Sequence, residues 1–336
     1  NIALFWGMVD FKKLFTGFSS LRGGIIGDVM LDTYMWGKVD RISPEAPVPV
    51  VTLQNKEYRI GGAGNVALNC RSLDAQATLL TVTGDDTDAQ VLRGLFEQQG
   101  IDTSYMLSSA GRITTNKMRI ISRSQQMMRL DAEVTRDLDA AEEAQFLEQV
   151  ARYIDKQQPQ VIILEDYNKG VLTARVIRQV IDWCKEKNII VTVDPKRRNF
   201  FAYSGVDIFK PNLKEVKEAL NITTEGAGEK VMQSIHQELS QQLNHAISFI
   251  TLSEKGVFYQ QGNNSCIIPS HIRNIADVSG AGDTVIAVAS LVYAATKDVK
   301  LMAETANIAG GLVCEEVGTA AINREKLLQE CELLLN

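Results

Sequence analysis

Asp277-Val278-Ser279-Gly280-Ala281-Gly282-Asp283-Thr284 stands directly before an apolar stretch, residues 285–295, that reads as a buried helix. Gly280 and Gly282 withdraw side chains where the chain turns into that helix, so open backbone N–H groups and the positive helix end can face an anion. Asp283 then falls in the first turn. A carboxylate beside an anion cradle repels phosphate in a mere binding site. It makes sense where a hydroxyl must lose its proton while attacking a phosphoryl group, which points to a kinase. The plainer reading is a glycine helix start with an acidic first turn, favoured by the helix dipole by roughly a few tenths of a kcal/mol.

Outward from this run, short apolar segments alternate with amphipathic ones. Strands are expected at 24–26, 78–83, 161–164, 189–193, 206–209 and 246–252, mostly followed by helical patterns. Such alternation implies an α/β fold, a mostly parallel sheet covered by helices. Several runs end in a short polar residue: Asp28, Asp85 with Asp86, Asp166, Asp194, Asn212 and Ser253. In open α/β sheets the ligand crevice lies outside the carboxyl ends of the strands, so these residues are expected to converge there. Each taken singly is also an ordinary turn or cap residue.

Two stretches break the alternation. Residues 34–60 carry Pro44, Pro47 and Pro49, and residues 103–130 contain Lys117-Met118-Arg119-Ile120-Ile121; both read as strands without intervening helices. They are expected to pair into a small β lid over the crevice, leaving 1–33, 61–102 and 131–336 as the main domain. Val48, Val50, Val51, Met118 and Ile120 offer the lid an apolar outer face, and with it the expectation of a homodimer.

Composition removes other classes. Lys plus Arg is 35 against 41 for Asp plus Glu, a net charge of −6 with no long basic block, which argues against nucleic acid as partner. Five cysteines are scattered without a C-x-x-C pair, and their odd number fits reduced, cytoplasmic thiols better than a disulfide framework. Residues 2–9 are apolar but short, and no segment approaches the roughly 18 residues a membrane span needs. His236, His245 and His271 lie in no zinc-ligand spacing.

A second glycine motif, Gly61-Gly62-Ala63-Gly64-Asn65-Val66-Ala67, formally matches a dinucleotide-binding turn, with Asp85 and Asp86 where a ribose-binding acid belongs. It follows the proline-rich insertion, however, while residues 24–28 open the sheet. The compact βαβ unit of that fingerprint is therefore missing, and hydride chemistry ranks below phosphoryl transfer.

Taken together, Gly61-Gly62 with Asn65, Ala67 and Gly84, and 277–283 far downstream, resemble the two signatures of ribokinase-like, PfkB-type sugar kinases over nearly the whole chain. Gly27-Asp28-Val29-Met30-Leu31-Asp32 and Arg41-Ile42-Ser43-Pro44-Glu45-Ala46-Pro47-Val48-Pro49-Val50 are similar to the kinase module of D-glycero-β-D-manno-heptose 7-phosphate kinases. Ser122-Arg123-Ser124-Gln125-Gln126, Asp166-Tyr167-Asn168-Lys169-Gly170 and Asp194-Pro195-Lys196 point the same way. The resemblance implies a ribokinase-like three-layer α/β/α fold. It also implies ATP-dependent phosphorylation of the anomeric hydroxyl of a heptose 7-phosphate, on the route to nucleotide-activated heptose for lipopolysaccharide or surface glycans, with Mg²⁺ and K⁺ as cations. Two departures stand out: Asp74 where the signature usually has Gly or Ser, and Glu165 where the subfamily more often has a small residue. The H-x-G-H element of a nucleotidyltransferase module cannot be built from the three histidines, so the chain is expected only to phosphorylate.

Charge and resemblance together assign Asp283 as general base, with backbone N–H groups of Gly280, Ala281 and Gly282 stabilising the developing charge. The resemblance implies that Glu215 of Asn212-x-x-Glu215 holds Mg²⁺ through water and that Asn212 lies near the nucleotide phosphates; the same spacing is also a capping box. It further implies a nucleotide-side loop of Thr251, Ser253 and Gly256, an adenine neighbour in Asn307, and a monovalent-cation role for Asp277. Lys196 is a candidate for the phosphates. For the sugar the candidates are Asp28, Asp32, Gly62, Asn65 and Asp166, because carboxylates and amides serve several hydroxyls. For its phosphate they are Lys117, Arg119 and Arg123, alternate residues on one strand face that otherwise are solvated strand charges. Two rival readings are a PfkB-type kinase for another sugar phosphate or nucleoside, and a non-catalytic sugar-binding sensor.

Overall fold

The computed structural model describes residues 9–123, 125–223, 226–271 and 273–336. The apolar N-terminal run up to Met8, and Ser124 of the 122–126 motif, lie outside the described residues.

Fourteen strands occur among the described residues. In chain order they are β1 Arg22–Gly27, β2 Val29–Ile42, β3 Pro49–Gly62, β4 Gln76–Leu80, β5 Val82–Gly84, β6 Leu107–Ser109 and β7 Asn116–Ser122. They continue with β8 Gln125–Ala132, β9 Val161–Glu165, β10 Ile190–Asp194, β11 Ile208–Phe209, β12 Ile247–Thr251, β13 Val257–Gln261 and β14 Asn264–Ile268.

The central sheet runs β14-β13-β12-β11-β10-β9-β1-β4. From β12 to β4 every pairing is parallel, and β13 and β14 add an antiparallel edge. Strands such as Val161–Glu165 and Ile190–Asp194 are buried along their whole length, which is why they are mostly β-branched runs that end in a carboxylate rather than alternating ones. Each face carries its own apolar core. Helices Ala63–Ser72, Ala281–Thr296 and Val299–Val313 pack on one face, and Ala140–Gln157, Ala174–Glu186 and Glu229–Leu243 on the other. The layers are thus helix, sheet, helix.

The chain runs from β1 outward to its neighbour β4 and later returns on the other side of β1 as β9. The ends of β1 and β9, where Gly27 pairs with Glu165, therefore mark a topological switch point and the start of a crevice.

A separate four-stranded sheet, β3-β2-β7-β8, continues directly from β1. Its strands cover 29–62 and 116–132, not the expected 34–60 and 103–130: β2 starts one residue after β1, and Leu107–Ser109 pairs instead with Val82–Gly84. Three other expectations shift. The run 78–83 divides at Thr81, whose hydroxyl donates to the Gly27 carbonyl. The run 206–209 yields only a two-residue strand. The antiparallel edge hairpin was not foreseen, because β13 follows β12 after only five residues and neither of its strands alternates polar with apolar residues. Asp74 does adopt the left-handed conformation its position after a helix requires, at φ 67°.

Candidate active site

Gly280 caps helix Ala281–Thr296 at φ 77°, and a Cβ there would stand 2.7 Å from the Asn65 amide nitrogen and 2.8 Å from Thr319. Only glycine accepts both the left-handed backbone and the close approach. The Ala281 N–H bonds the Val278 carbonyl at 3.3 Å, so the expected three-amide cradle loses this member; Gly280 and Gly282 remain available at the helix start.

Asp283, in the first turn, is buried, with 3% of its surface exposed. Its Oδ2 accepts from Asn65 Nδ2 at 2.8 Å and its Oδ1 from the Tyr167 hydroxyl at 2.7 Å. Burial pushes its pKa up to about 6, with the Asp194 carboxylate adding to the rise, while Asn65, Tyr167 and Lys210 pull it down. A carboxylate so tuned changes charge near neutral pH, as a general base requires.

Asn65 reaches Asp283 from helix Ala63–Ser72. That helix follows Gly62, whose φ of 61° and close approach to the Asp28 carbonyl, 2.3 Å from a Cβ, explain the glycine. One turn on, Asn69 accepts from the Thr284 hydroxyl at 3.1 Å and from the Ile322 amide at 2.9 Å. Asn65 and Asn69 thus meet Asp283 and Thr284 pairwise and lock the two glycine motifs together. The i, i+4 spacing of two asparagines on an otherwise apolar helix face was the signal for Asn69.

Beneath the glycine loop lies a chain of charges. Lys210, 2% exposed, pairs with Asp194 Oδ2 at 2.7 Å, and a Cβ on Gly282 would stand 3.7 Å from its Nζ. Lys196 bridges Asp194 Oδ1 at 3.2 Å and Glu215 Oε1 at 2.8 Å. Burial would raise the Asp194 pKa, but the two ammoniums hold it below the usual range. Glu165, on the same face of β9 as Ile163, is fully buried, and neither carboxyl oxygen has a partner among the described residues. Burial, then Asp194 and Asp283, push its pKa well above the ordinary carboxylate value.

Other expected residues sit differently. Asp28 accepts from the amides of Tyr167, Lys169 and Val171 at 2.9, 3.0 and 3.1 Å, and Asp166 from the Asn168 amide and the Tyr203 hydroxyl, both at 2.7 Å. Both are buried and committed to shaping the 166–171 loop, so neither offers a free face to a sugar. Asp32 is paired with Arg119 at 2.5 Å, and Arg119 stacks over Tyr34 with its guanidinium 5.1 Å from the ring centre. Lys117 and Arg119 do share a strand face; Arg123 does not join them, because it occupies the exposed β7–β8 turn at φ 49° beyond a bulge. Arg59, missed from sequence, enters instead: it stacks over Tyr34 at 4.8 Å and donates to the Val317 carbonyl at 2.6 Å.

On the opposite side, Asn212 and Glu215 form the capping box of helix Leu213–Ala219. Glu215 Oε2 accepts from the Asn212 amide at 2.8 Å while Lys196 takes Oε1, so both oxygens are engaged. Thr251 bridges Asn212 across the strand ends, Ser253 has φ 56°, and Gly256 has φ 94°. Asn212 and Ser253, with Arg197 and Lys255, line a cavity of about 660 Å³. Asn307 spends its amide on the Pro269 carbonyl at 2.8 Å and so secures that loop. Asp277 accepts from Ser279 and from the Gly318 amide at 2.9 Å; burial would raise its pKa, but these bonds keep it low. No group of three His, Cys, Asp or Glu among the described residues is arranged to hold a metal. Nor is any helix among them long and apolar enough to cross a membrane.

Tyr167 stands in the 166–170 motif with no role legible from its sequence position, and the structure puts its hydroxyl against Asp283. So did Lys210 escape notice, being an isolated lysine after a two-residue strand.

Comparison with known proteins agrees with this architecture. The bifunctional protein HldE of Syntrophotalea carbinolica is 37% identical over 320 residues, 95% of this chain and 64% of that protein. The HldE of Methylobacillus flagellatus is 38% identical over 308 residues, 92% of this chain and 62% of that protein. The chain therefore spans less than two thirds of the length of these relatives. Phosphofructokinase-2 from Escherichia coli in complex with potassium superposes with a TM-score of 0.76 at 18% identity, covering 94% of this chain and 98% of that one. Ribokinase of Arabidopsis thaliana complexed with ribose and ATP gives 0.70 at 16% identity, covering 92% and 98%. These likenesses establish a ribokinase-like fold. A family model, pfkB family carbohydrate kinase, matches residues 25–326, and the chain belongs to that family of sugar kinases.

Proposed function

We propose that the chain transfers the γ-phosphoryl group of ATP to the anomeric hydroxyl of D-glycero-D-manno-heptose 7-phosphate, giving the 1,7-bisphosphate. The observation that carries this reading is Asp283: a buried carboxylate with its pKa near 6, fixed by Asn65 and Tyr167 beside a glycine helix start. In the step, the sugar oxygen forms a bond to the γ-phosphorus, the bond to the ADP oxygen breaks, and Asp283 takes the hydroxyl proton. The Gly280 and Gly282 amides and the helix N-terminus face the charge that develops on the transferred group. The donor side is the Asn212–Ser253 cavity, which Arg197 and Lys255 also line.

The heptose rests on the resemblance of 27–32, 41–50 and 166–170, and on similarity to the bifunctional HldE proteins. For the acceptor phosphate, Lys117 makes no ion pair within reach among the described residues, and burial pushes its pKa down. A partly desolvated ammonium that feels the Asp32 carboxylate without pairing to it is a favourable place for a dianion. Asp32 and Arg119 are already paired, so they shape the sugar pocket as a unit. Magnesium does not fit a preformed cage, since both Glu215 oxygens are engaged. A homodimer through the four-stranded sheet is supported by exposed Ile42, Leu53 and Met128 on that sheet.

The test is ADP release with Mg·ATP across heptose 7-phosphate, sedoheptulose 7-phosphate, fructose 6-phosphate, ribose and adenosine, beside Asp283→Asn. Turnover confined to the heptose and reduced about 10²- to 10⁴-fold in the variant is the expected result. Preference for another acceptor would refute the substrate, and an active variant would refute the base.

A further inference from the structure

The loop that carries Tyr167 is fastened more tightly than its length requires. Asp28 gathers three of its amides, Asp166 a fourth, and Asn168 at φ 55° with Gly170 at φ 89° fix the turn. A Cβ on Gly170 would lie 2.0 Å from the Arg136 carbonyl, so the turn cannot drift. The outcome is one ring held in one place. Its hydroxyl lies 2.7 Å from Asp283 Oδ1, and two ammoniums, Lys117 from the small sheet and Lys196 from the donor side, each stand 5.5 Å from its centre. Nearby cations make a phenol a stronger hydrogen-bond donor, and a carboxylate that accepts such a bond keeps its charge more readily.

We propose that Tyr167 is a positioning residue, whose hydroxyl orients Asp283 and holds it in the ionised, proton-accepting form against the burial that opposes ionisation. This rests on the reading of Asp283 as base. The groups facing that carboxylate are Asn65 from its helix, Glu165 and Asp194 from strand ends, and Lys210 from below; Lys196 acts through Asp194 and through the Tyr167 ring. Asn65 and Lys210 also favour the charged form, whereas Asp194 and Glu165 oppose it when charged. Tyr167 differs from all of these in lying on a loop whose two neighbouring cations come from the two substrate sides.

The experiment titrates Asp283 in the substrate-free chain by ¹³C NMR of aspartate carboxyls, its signal identified as the one missing in Asp283→Asn. Two replacements act at position 167. Tyr167→Phe removes the donor and is expected to raise the Asp283 titration by about half a pH unit or more. 3,5-Difluorotyrosine at the same position is a more acidic phenol and is expected to lower it. Opposite shifts support the proposal, since a ring that merely packs would move neither. A titration unmoved by both replacements overturns it. Wild-type chain that phosphorylates no acceptor would count against the proposed function and leave the titration result standing. With the heptose phosphate as substrate, the acid limb of kcat in Tyr167→Phe should follow the NMR shift, with KM for ATP unchanged.

Discussion

Lys210→Met is the sharpest probe of the charge chain under the glycine loop. The side chain is 2% exposed and its ammonium is 2.7 Å from Asp194, itself buried, so solvent screens little of the pair. At an effective dielectric of about 20, attraction at that distance is about 6 kcal/mol, part of which only offsets the desolvation of the two ions. Removing one partner of a buried pair costs about 3–5 kcal/mol. Lys196 still touches the other Asp194 oxygen at 3.2 Å and is itself 25% exposed, so the low end applies, about 3 kcal/mol. Urea unfolding measures it, provided the slope with denaturant stays unchanged. Asp194→Asn alone should also destabilise, yet the double variant should lose at least about 1.5 kcal/mol less than the sum, because the orphaned charge is gone. A loss under about 1 kcal/mol for Lys210→Met, or additivity within about 0.5 kcal/mol, would refute the idea that this pair holds the floor of the site.

Gly280→Ala should separate stability from chemistry. The left-handed backbone costs about 1–2 kcal/mol with any side chain, and the new methyl displaces Asn65 from Asp283, so kcat should fall about tenfold or more while thermal unfolding moves modestly. An unchanged kcat would mean the Asn65 contact does not matter. His245 sets an acid-stability test. Burial, then His236, pushes its pKa down to about 4 from an ordinary 6.5. The unfolded chain therefore binds the proton first, and stability drops as pH falls from about 6.5 to about 4, by roughly 3 kcal/mol in all. Replacing His245 by Phe, which suits its contact with Phe209, should flatten that part of the stability–pH curve relative to wild type; parallel curves would show that the histidine is not the titrating group.

The layers and the glycine-bearing helix were legible because each depends on local pattern: buried parallel strands are apolar throughout, and a glycine pair before an apolar run has few other uses. The edges of the small four-stranded sheet were less legible. Between β1, which ends at Gly27, and β2, which starts at Val29, only Asp28 interrupts the extended chain. Among the candidate residues, Asp283, Asn65 and Gly280 are brought together by the fold, and Gly62 by its left-handed backbone is tied to the helix that carries Asn65. Arg123 was misplaced because strand alternation holds only while the strand lasts, and a bulge between Ile120 and Ile121 and then the hairpin turn end it. Asp28 and Asp166 read as sugar ligands because a buried carboxylate at a strand end looks the same whether it meets a ligand or its own backbone amides.

Glu165 shows what sequence comparison of residue types omits. It is larger than the small residue more usual at that position, and it shares a strand face with Ile163, which packs in the core of the helix that bears Asp283. Around it, Lys196 and Lys210 are already matched by Asp194 and Glu215, so no cation is left over to pair with another carboxylate. A fully buried carboxyl with no hydrogen-bond partner is far cheaper to keep protonated than charged. Held neutral, it adds no repulsion to Asp283; if it ionised, it would raise the proton affinity of Asp283 and blunt it as the proposed base. Glu165→Gln, which mimics the neutral acid, should therefore leave the acid limb of kcat where it is, whereas a clear downward shift would reveal a charged Glu165 in the wild-type chain.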